Sequence, residues 1–274
     1  MRKFWILTLL ALATVTASAE EVVMRAFKCQ KQYHGIAVGG PIKVFIEERT
    51  EGNIIIRAPK DIIDLVELKV EDKELCVGYK KGTEINFDYK NRNSEQVAEI
   101  YLPNNGKLNK FEAAACSIID VKPTVKADKL EISCVGVANI ALNGTVNEVE
   151  IDVKGASNVD LDIVCTKLEC EVLGASKARI SGSATKAEFD ILGASTLRAS
   201  ELKASQIEAD VTGASTADIY GEMVEIEAGG ASNANIDCTT QLTASAAGAS
   251  TIRYTGDCQV NITNNSGAST IRKK

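Results

Sequence analysis

Eleven carboxylates recur at a spacing near 19 residues in the second half of the chain. One series runs Glu131, Glu150, Glu169, Glu188, Glu208 and Glu225. The other lies two residues further on and runs Asp152, Glu171, Asp190, Asp210 and Glu227, with Ser133 at its head. If successive repeats stack as strands about 4.8 Å apart, these side chains make two acidic columns on one flat face. Each adjacent pair then costs roughly 0.9 kcal/mol even at the dielectric of water. Lys129, Lys167 and Lys186 precede the first column and offset part of this. Two roles fit such a face. It can be a solvated surface that keeps a rod soluble and blocks lateral sheet association. Alternatively, hard cations such as Ca²⁺ can bridge neighbouring repeats through Glu150, Asp152, Glu169, Glu171, Glu188, Asp190, Glu208 and Asp210. No EF-hand loop and no Gly-Gly-x-Gly-x-Asp turn is present, so the pattern specifies no metal.

A second periodic series, Ser157 through Ser269, invites a nucleophile reading. With a single histidine, His34, and none among the repeats, no base is available to activate these hydroxyls, and a hydroxyl ladder at a tight corner is the expectation. A third series, Asp160, Arg179, Arg198, Asp218, Asn235, Arg253 and Arg272, mixes signs. It offers exposed pairs such as Asp160 with Arg179 and Arg198 with Asp218, each contributing about 0–1 kcal/mol. Glycan-cleaving enzymes need an acid and a base converging on one groove. Carboxylates arrayed as parallel columns do not converge, so a non-catalytic protein is expected, with no catalytic residue and no cofactor. Zinc is equally disfavoured, because there is no Cys-x-x-Cys and only one histidine.

The elements that position these series follow from Gly-Ala-Ser, which returns seven times, beginning at Gly155, Gly174, Gly193, Gly213, Gly230, Gly248 and Gly267. Between triplets, apolar and polar residues alternate with the two-residue period of a half-buried strand. A repeat near 19 residues built from strands is a stack of one small unit. In one coil Leu168, Cys170 and Val172 face inward, Gly174-Ala175-Ser176 turns the chain, Ala178 and Ile180 follow, and Gly182 turns it again. Two strands and two glycine corners per coil predict a single-stranded parallel β-helix, right-handed by the usual crossover preference. Leu130 to Asn139 is a degenerate copy, and Phe111 to Ile119, with Ala115-Cys116-Ser117, an earlier one. The expectation is seven or eight coils over residues 111–274.

Residues 1–19 read as a secretory leader: Arg2 and Lys3, an apolar run from Phe4 to Val15, then Ala17-Ser18-Ala19. The run is short for a membrane anchor, no second one follows, and no cysteine stands just after the cleavage pattern, so a lipid anchor is not indicated. Export to the periplasm or the outer surface is the expectation. The formal charge of -6 is uneven: from Lys129 to Lys274 there are 19 acidic and 12 basic side chains, a balance of -7. Nucleic acid is excluded as a partner on that ground. Of the eight cysteines, Cys134 and Cys170 fall on inward positions, where a thiol acts as a small hydrophobe. Cys238 and Cys258 fall near the second corner of neighbouring coils, which leaves a coil-to-coil disulfide open.

Residues 20–110 change to longer strands with ordinary turns and are expected to start and cap the same rod, with Lys80 to Gln96 as a polar excursion. The order Gly35-Ile36-Ala37-Val38, Ile42-Lys43-Val44-Phe45-Ile46, Leu75-Cys76-Val77 and Ile100-Tyr101-Leu102-Pro103, followed by Gly-Ala-Ser coils, resembles the bacterial putative auto-transporter adhesin family, the head GIN domain. The resemblance implies an exported β-helical protein of Gram-negative bacteria with no established catalytic residues. It also implies a binding role toward a glycan or an extracellular protein. A structural envelope protein with a cation-bridged acidic face is the alternative, with a carbohydrate-active enzyme behind both. The last coil carries no separate cap, so either Lys273 and Lys274 guard it or a second copy stacks there end to end.

Overall fold

The computed structural model describes residues 21–29, 31–50, 52–83 and 97–274. The expected leader and most of the Lys80 to Gln96 stretch lie outside the described residues. Among the described residues there are strands and turns and no helix. The strands are β1 (Val22–Phe27), β2 (Gly35–Gly39), β3 (Ile42–Glu47), β4 (Ile54–Pro59), β5 (Val66–Glu71), β6 (Glu74–Tyr79) and β7 (Ala98–Pro103). Next come β8 (Lys110–Ala114), β9 (Ile118–Val121), β10 (Val125–Gly136), β11 (Asn139–Gly155), β12 (Asn158–Val172), β13 (Lys177–Ile191) and β14 (Thr196–Val211). The series closes with β15 (Thr216–Ala228), β16 (Asn233–Ala246), β17 (Thr251–Thr255), β18 (Gln259–Asn265) and β19 (Thr270–Lys273). They wind into a parallel β-solenoid of about nine turns with coils of roughly 19 residues. The expectation of seven or eight coils counted only from Phe111; the segment before it supplies the rest.

From β11 to β16 each coil breaks once, at Gly-Ala-Ser, and the second corner that the sequence suggests appears only at the ends, between β9 and β10 and at Gly256 between β17 and β18. Between triplets the strand runs on: β12 is 15 residues long and passes from one face of the solenoid to the next with its pairing intact. The triplet glycines hold φ between 71° and 88°. Stacking makes glycine obligatory there, since a Cβ on Gly174 would lie 2.6 Å from the Gly155 carbonyl oxygen. That oxygen accepts a 2.7 Å hydrogen bond from the Ala175 N–H. At the first corner Ala115 and Cys116 take positive φ instead (51° and 74°), and Ser117 is buried there as the later triplet serines are.

The expected second glycine corner has a different cause. In register, Gly144 stacks on Ile163, Ile163 on Gly182, Gly182 on Leu202, and Gly221 on Cys238. Small and large residues alternate down this inward column, and a Cβ on Gly144 would already touch the Ile163 side chain at 3.0 Å. Interior space sets glycine at Gly144 and Gly221, whereas Gly182 holds φ at 107° and a Cβ there would collide with the Ile163 carbonyl oxygen, so backbone conformation and stacking set it. The same complementarity recurs at Phe189, which lies between Cys170 and Ala209.

The first coils stack out of chain order. β2 and β3 lie between β6 and β7 on one side and β8 and β9 on the other, all parallel. Beyond them β5 runs antiparallel to β6, β4 antiparallel to β7, and β1 antiparallel to β4. The antiparallel strands cover this end of the stack, where open edges would otherwise invite pairing. At the other end β18 pairs with β16 and β19 with β17.

Candidate functional site

The residue after each triplet begins the second face of a coil. Its outward position is always polar: Asn158, Lys177, Thr196, Thr216, Asn233, Thr251 and Thr270. Strand registers align Asn139 with Asn158, Asn158 with Lys177, and Lys177 with Thr196. Two residues on, Asp160, Arg179 and Arg198 align as the sequence columns predict. Along these columns runs a groove of about 450 Å³, lined further by Ile118, Asp120 and Ala141. Inward residues Ile140, Val159 and Ala178 pack into the core beneath it and fix the rungs.

The electrostatics of this face differ from the expected pairing. Arg179 bonds Glu201 at 2.9 Å, not Asp160, and Asp218 takes the Asn235 amide at 2.8 Å, not Arg198. The cause is the 20-residue coil from Gly193 to Gly213: its register shift carries Glu201 opposite Ser181, within reach of Arg179. Lys177, between Asn158 and Thr196, and Arg198 carry no ion pair among the described residues. At the other end of the groove the Asn158 amide donates to Asn139 Oδ1 at 2.8 Å, and Asp120 pairs with Lys122 at 2.8 Å. The groove thus grades from amide rungs to a basic patch with free donors, a surface able to bind an anionic or hydroxyl-rich chain by charge-assisted hydrogen bonds.

On the first face the two acidic columns align rung for rung. Glu131, Glu150, Glu169, Glu188, Glu208 and Glu225 form one; Asp152, Glu171, Asp190, Asp210 and Glu227 form the other. Lysines interrupt the upper part. Lys129 bridges Glu131 (3.1 Å) and Glu150 (2.7 Å), and Lys154 bridges Asp152 (3.2 Å) and Glu171 (2.9 Å). Lys167 pairs with Glu169, while Lys186 sits 3.7 Å from Glu208. Lys154, which reaches across from beyond the second column, escaped the sequence reading. The hydrogen bond and charge of Lys154 hold the Glu171 carboxyl below the usual range. Burial, then Glu227, Asp190, Glu208 and Glu188, push Asp210 up. No three ligand-capable side chains converge on a metal position among the described residues. The eight residues singled out for Ca²⁺ make a ladder and no closed cage.

The triplet serines are buried, Ser157, Ser176, Ser215, Ser232 and Ser250 at 0 % exposure. Ser157, Ser195 and Ser250 donate to the carbonyls of Lys154, Leu192 and Ala247, three residues earlier, at 3.0, 2.8 and 2.9 Å. They close their own turns instead of forming a hydroxyl-to-hydroxyl ladder. The backbone of His34 is tied to Lys73 and Asn109, just ahead of the first-face strands β2, β6 and β8. Cys134 and Cys170 are buried in the core, and burial pushes the Cys134 thiol up to about 11. Among the described residues no helix is long and apolar enough to cross a membrane. The post-triplet column, including Lys177, was not singled out from sequence, although its signal, an invariably polar residue after each Gly-Ala-Ser, is visible there.

Comparison with known proteins places this architecture. A crystal structure of a putative adhesin from Parabacteroides distasonis ATCC 8503 is 17% identical with a TM-score of 0.70, covering 92% of this chain and 97% of that one. One from Parabacteroides merdae ATCC 43184, also titled a putative adhesin, is 19% identical with a TM-score of 0.71, covering 95% and 98%. A putative lipid binding protein from Parabacteroides distasonis ATCC 8503 is 15% identical with a TM-score of 0.65, covering 92% and 96%. At these identities the likeness is one of fold. No curated protein matches the chain. The family model described as "Putative auto-transporter adhesin, head GIN domain" matches residues 32–223, most of the described solenoid, and the chain therefore belongs to that family.

Proposed function

We propose that this protein is an exported surface adhesin that binds a carboxylate-bearing glycan along the groove of its second face. The carrying observation is the pair Lys177 and Arg198, one coil apart along the groove and without an ion pair among the described residues, beside the amide rungs Asn139 and Asn158. Rungs repeating at about 4.8 Å on a closed sheet present donors without a large ordering cost, the condition under which many weak contacts add to a useful affinity. The family membership and the secretory pattern of residues 1–19 support an extracellular site of action. The acidic first face repels the same ligand and so orients binding to the second.

A glycan array tests this reading, run with the wild type and with Lys177→Ala/Arg198→Ala. Carboxylated glycans should bind the wild type, with a loss of roughly 10- to 100-fold per charged contact in the variant. Binding confined to neutral glycans, or equal for both proteins, would contradict it; capture of a polypeptide ligand by the same groove would replace glycan with protein as the ligand class.

A further inference from the structure

The last two coils bring two thiols together. Cys238 lies in β16, fully buried, with its Sγ 3.0 Å from the Gln241 carbonyl oxygen and 3.3 Å from that of Glu222. Cys258 stands immediately before β18, half-buried and packed against the core. The register fixes their relation: Asp237 pairs with Thr255 and Gln241 with Gln259, so the chain from 255 to 259 runs directly beside 237 to 241. Cys258 therefore lies beside Thr240, on the coil next to Cys238, near enough for its thiol to help raise that of Cys238; both are free thiols in this structure. The bend they share leads into the edge of the stack, where β18 pairs on one side only and Ile262 is 50 % exposed.

We infer that Cys238 and Cys258 form a disulfide that staples the final coil to the one above it. In an oxidising compartment the oxidant is a disulfide, either a thiol oxidoreductase or oxidised glutathione. The Cys258 thiolate attacks a sulfur of that oxidant, which gives a mixed disulfide and releases one of its thiols. The Cys238 thiolate then attacks Cys258 Sγ, forming the new S–S bond and expelling the second thiol. Two protons leave the protein and two electrons pass to the oxidant. Burial pushes the Cys238 thiol up to about 11, which favours closure while the last coil is still docking and its thiol is wet. The bond joins positions 20 residues apart in sequence, so its main effect is to restrict opening of the terminal coil. The inference is independent of which ligand the groove binds.

The test starts from the full chain, equilibrated in an oxidised and reduced glutathione buffer. Free thiols are then blocked in denaturant, and tryptic peptides are mapped without reduction; cleavage after Arg253 separates the two cysteines. A cross-linked peptide joining Cys238 to Cys258, lighter by two hydrogens, is expected. Both thiols blocked as free, or either one joined to another cysteine, would overturn the inference. Hydrogen exchange gives a second readout: oxidation should slow exchange in β18 on the order of a hundredfold in the wild type. Cys258→Ser should show no response to oxidation. Equal exchange in oxidised and reduced wild type would reject the staple.

Discussion

Gly229 and Gly230 are neighbours in sequence that differ in backbone conformation and in what stacks on them, so alanine at each separates a constrained glycine from an unconstrained one. Gly230 holds φ at 71°, and a Cβ there would lie 2.7 Å from the Gly213 carbonyl oxygen. The Ala231 N–H donates to that oxygen at 2.7 Å. Gly230→Ala therefore incurs the left-handed penalty of about 1–2 kcal/mol. It also displaces the carbonyl and loses most of one buried hydrogen bond, about 0.5–1.5 kcal/mol more. The sum is roughly 1.5–3.5 kcal/mol, which also applies at the equivalent triplet glycines. At Gly229 the nearest atom to an added Cβ is the Thr212 methyl at 3.5 Å, an ordinary contact. Gly229→Ala should lie near zero or stabilise by about 0.4–1 kcal/mol through the unfolded chain. Ala115 and Cys116 already hold positive φ, so that conformation is tolerated in this chain; at Gly230 contact with the stacked carbonyl adds to it, and Gly229 carries neither constraint. Urea denaturation of the full chain and hydrogen exchange across β15 and β16 measure both variants. Equal destabilisation by the two, or a neutral Gly230→Ala, would refute the stacking argument.

Other outcomes follow from the core and the faces. Phe189 fills the space left by Cys170 and Ala209, so Phe189→Ala should lower stability by about 3–5 kcal/mol in denaturant unfolding; a loss below about 1 kcal/mol would mean the coil collapses around the gap. Asp210→Asn removes a like-charged rung and should stabilise by roughly 0.2–1 kcal/mol in the same assay. The pH dependence should split along the rod. Asp210 is raised in the folded state, so its penalty is present at neutral pH and relieved as pH falls through its folded value. Glu171 is lowered, so its contribution is present above its unfolded value and lost as pH falls through the folded one. Site-resolved hydrogen exchange followed from neutral pH to below the ordinary glutamate value should therefore show opposite trends in β14 and β12, and parallel trends would contradict the assignment. Substituting the salt-bridging Lys154 by Ala should abolish the trend in β12 while sparing that in β14.

Most of the solenoid is legible because one triplet does two jobs. Gly-Ala-Ser marks the turn, and by fixing the turn it sets the register, which is why Glu150, Glu169 and Glu188 align as sequence spacing says they must. The reading falters wherever the marker is absent. No triplet labels β2, β3, β6 and β7, and nothing local records that β2 and β3 are sandwiched between later strands; that order depends on non-local pairing. Gly144 and Gly221 resemble the positive-φ Gly182 because glycine has two uses, positive φ and lack of volume, and only the side chains of Ile163 and Ile207 beside them tell which applies. The Arg179 to Glu201 pair was hidden by the longer coil, which shifts register within β14. On the functional side the acidic columns drew attention by their charge. The groove depends instead on Lys177 and Arg198, left free when Asp160 and Asp218 do not pair with the arginines beside them.

Retention of intact cells on a surface coated with a carboxylated glycan tests the central claim most directly. Cells making the wild-type protein should be held and cells making Lys177→Ala/Arg198→Ala at equal protein level should wash off. Equal retention of both, or retention of neither, would contradict binding through the second-face groove.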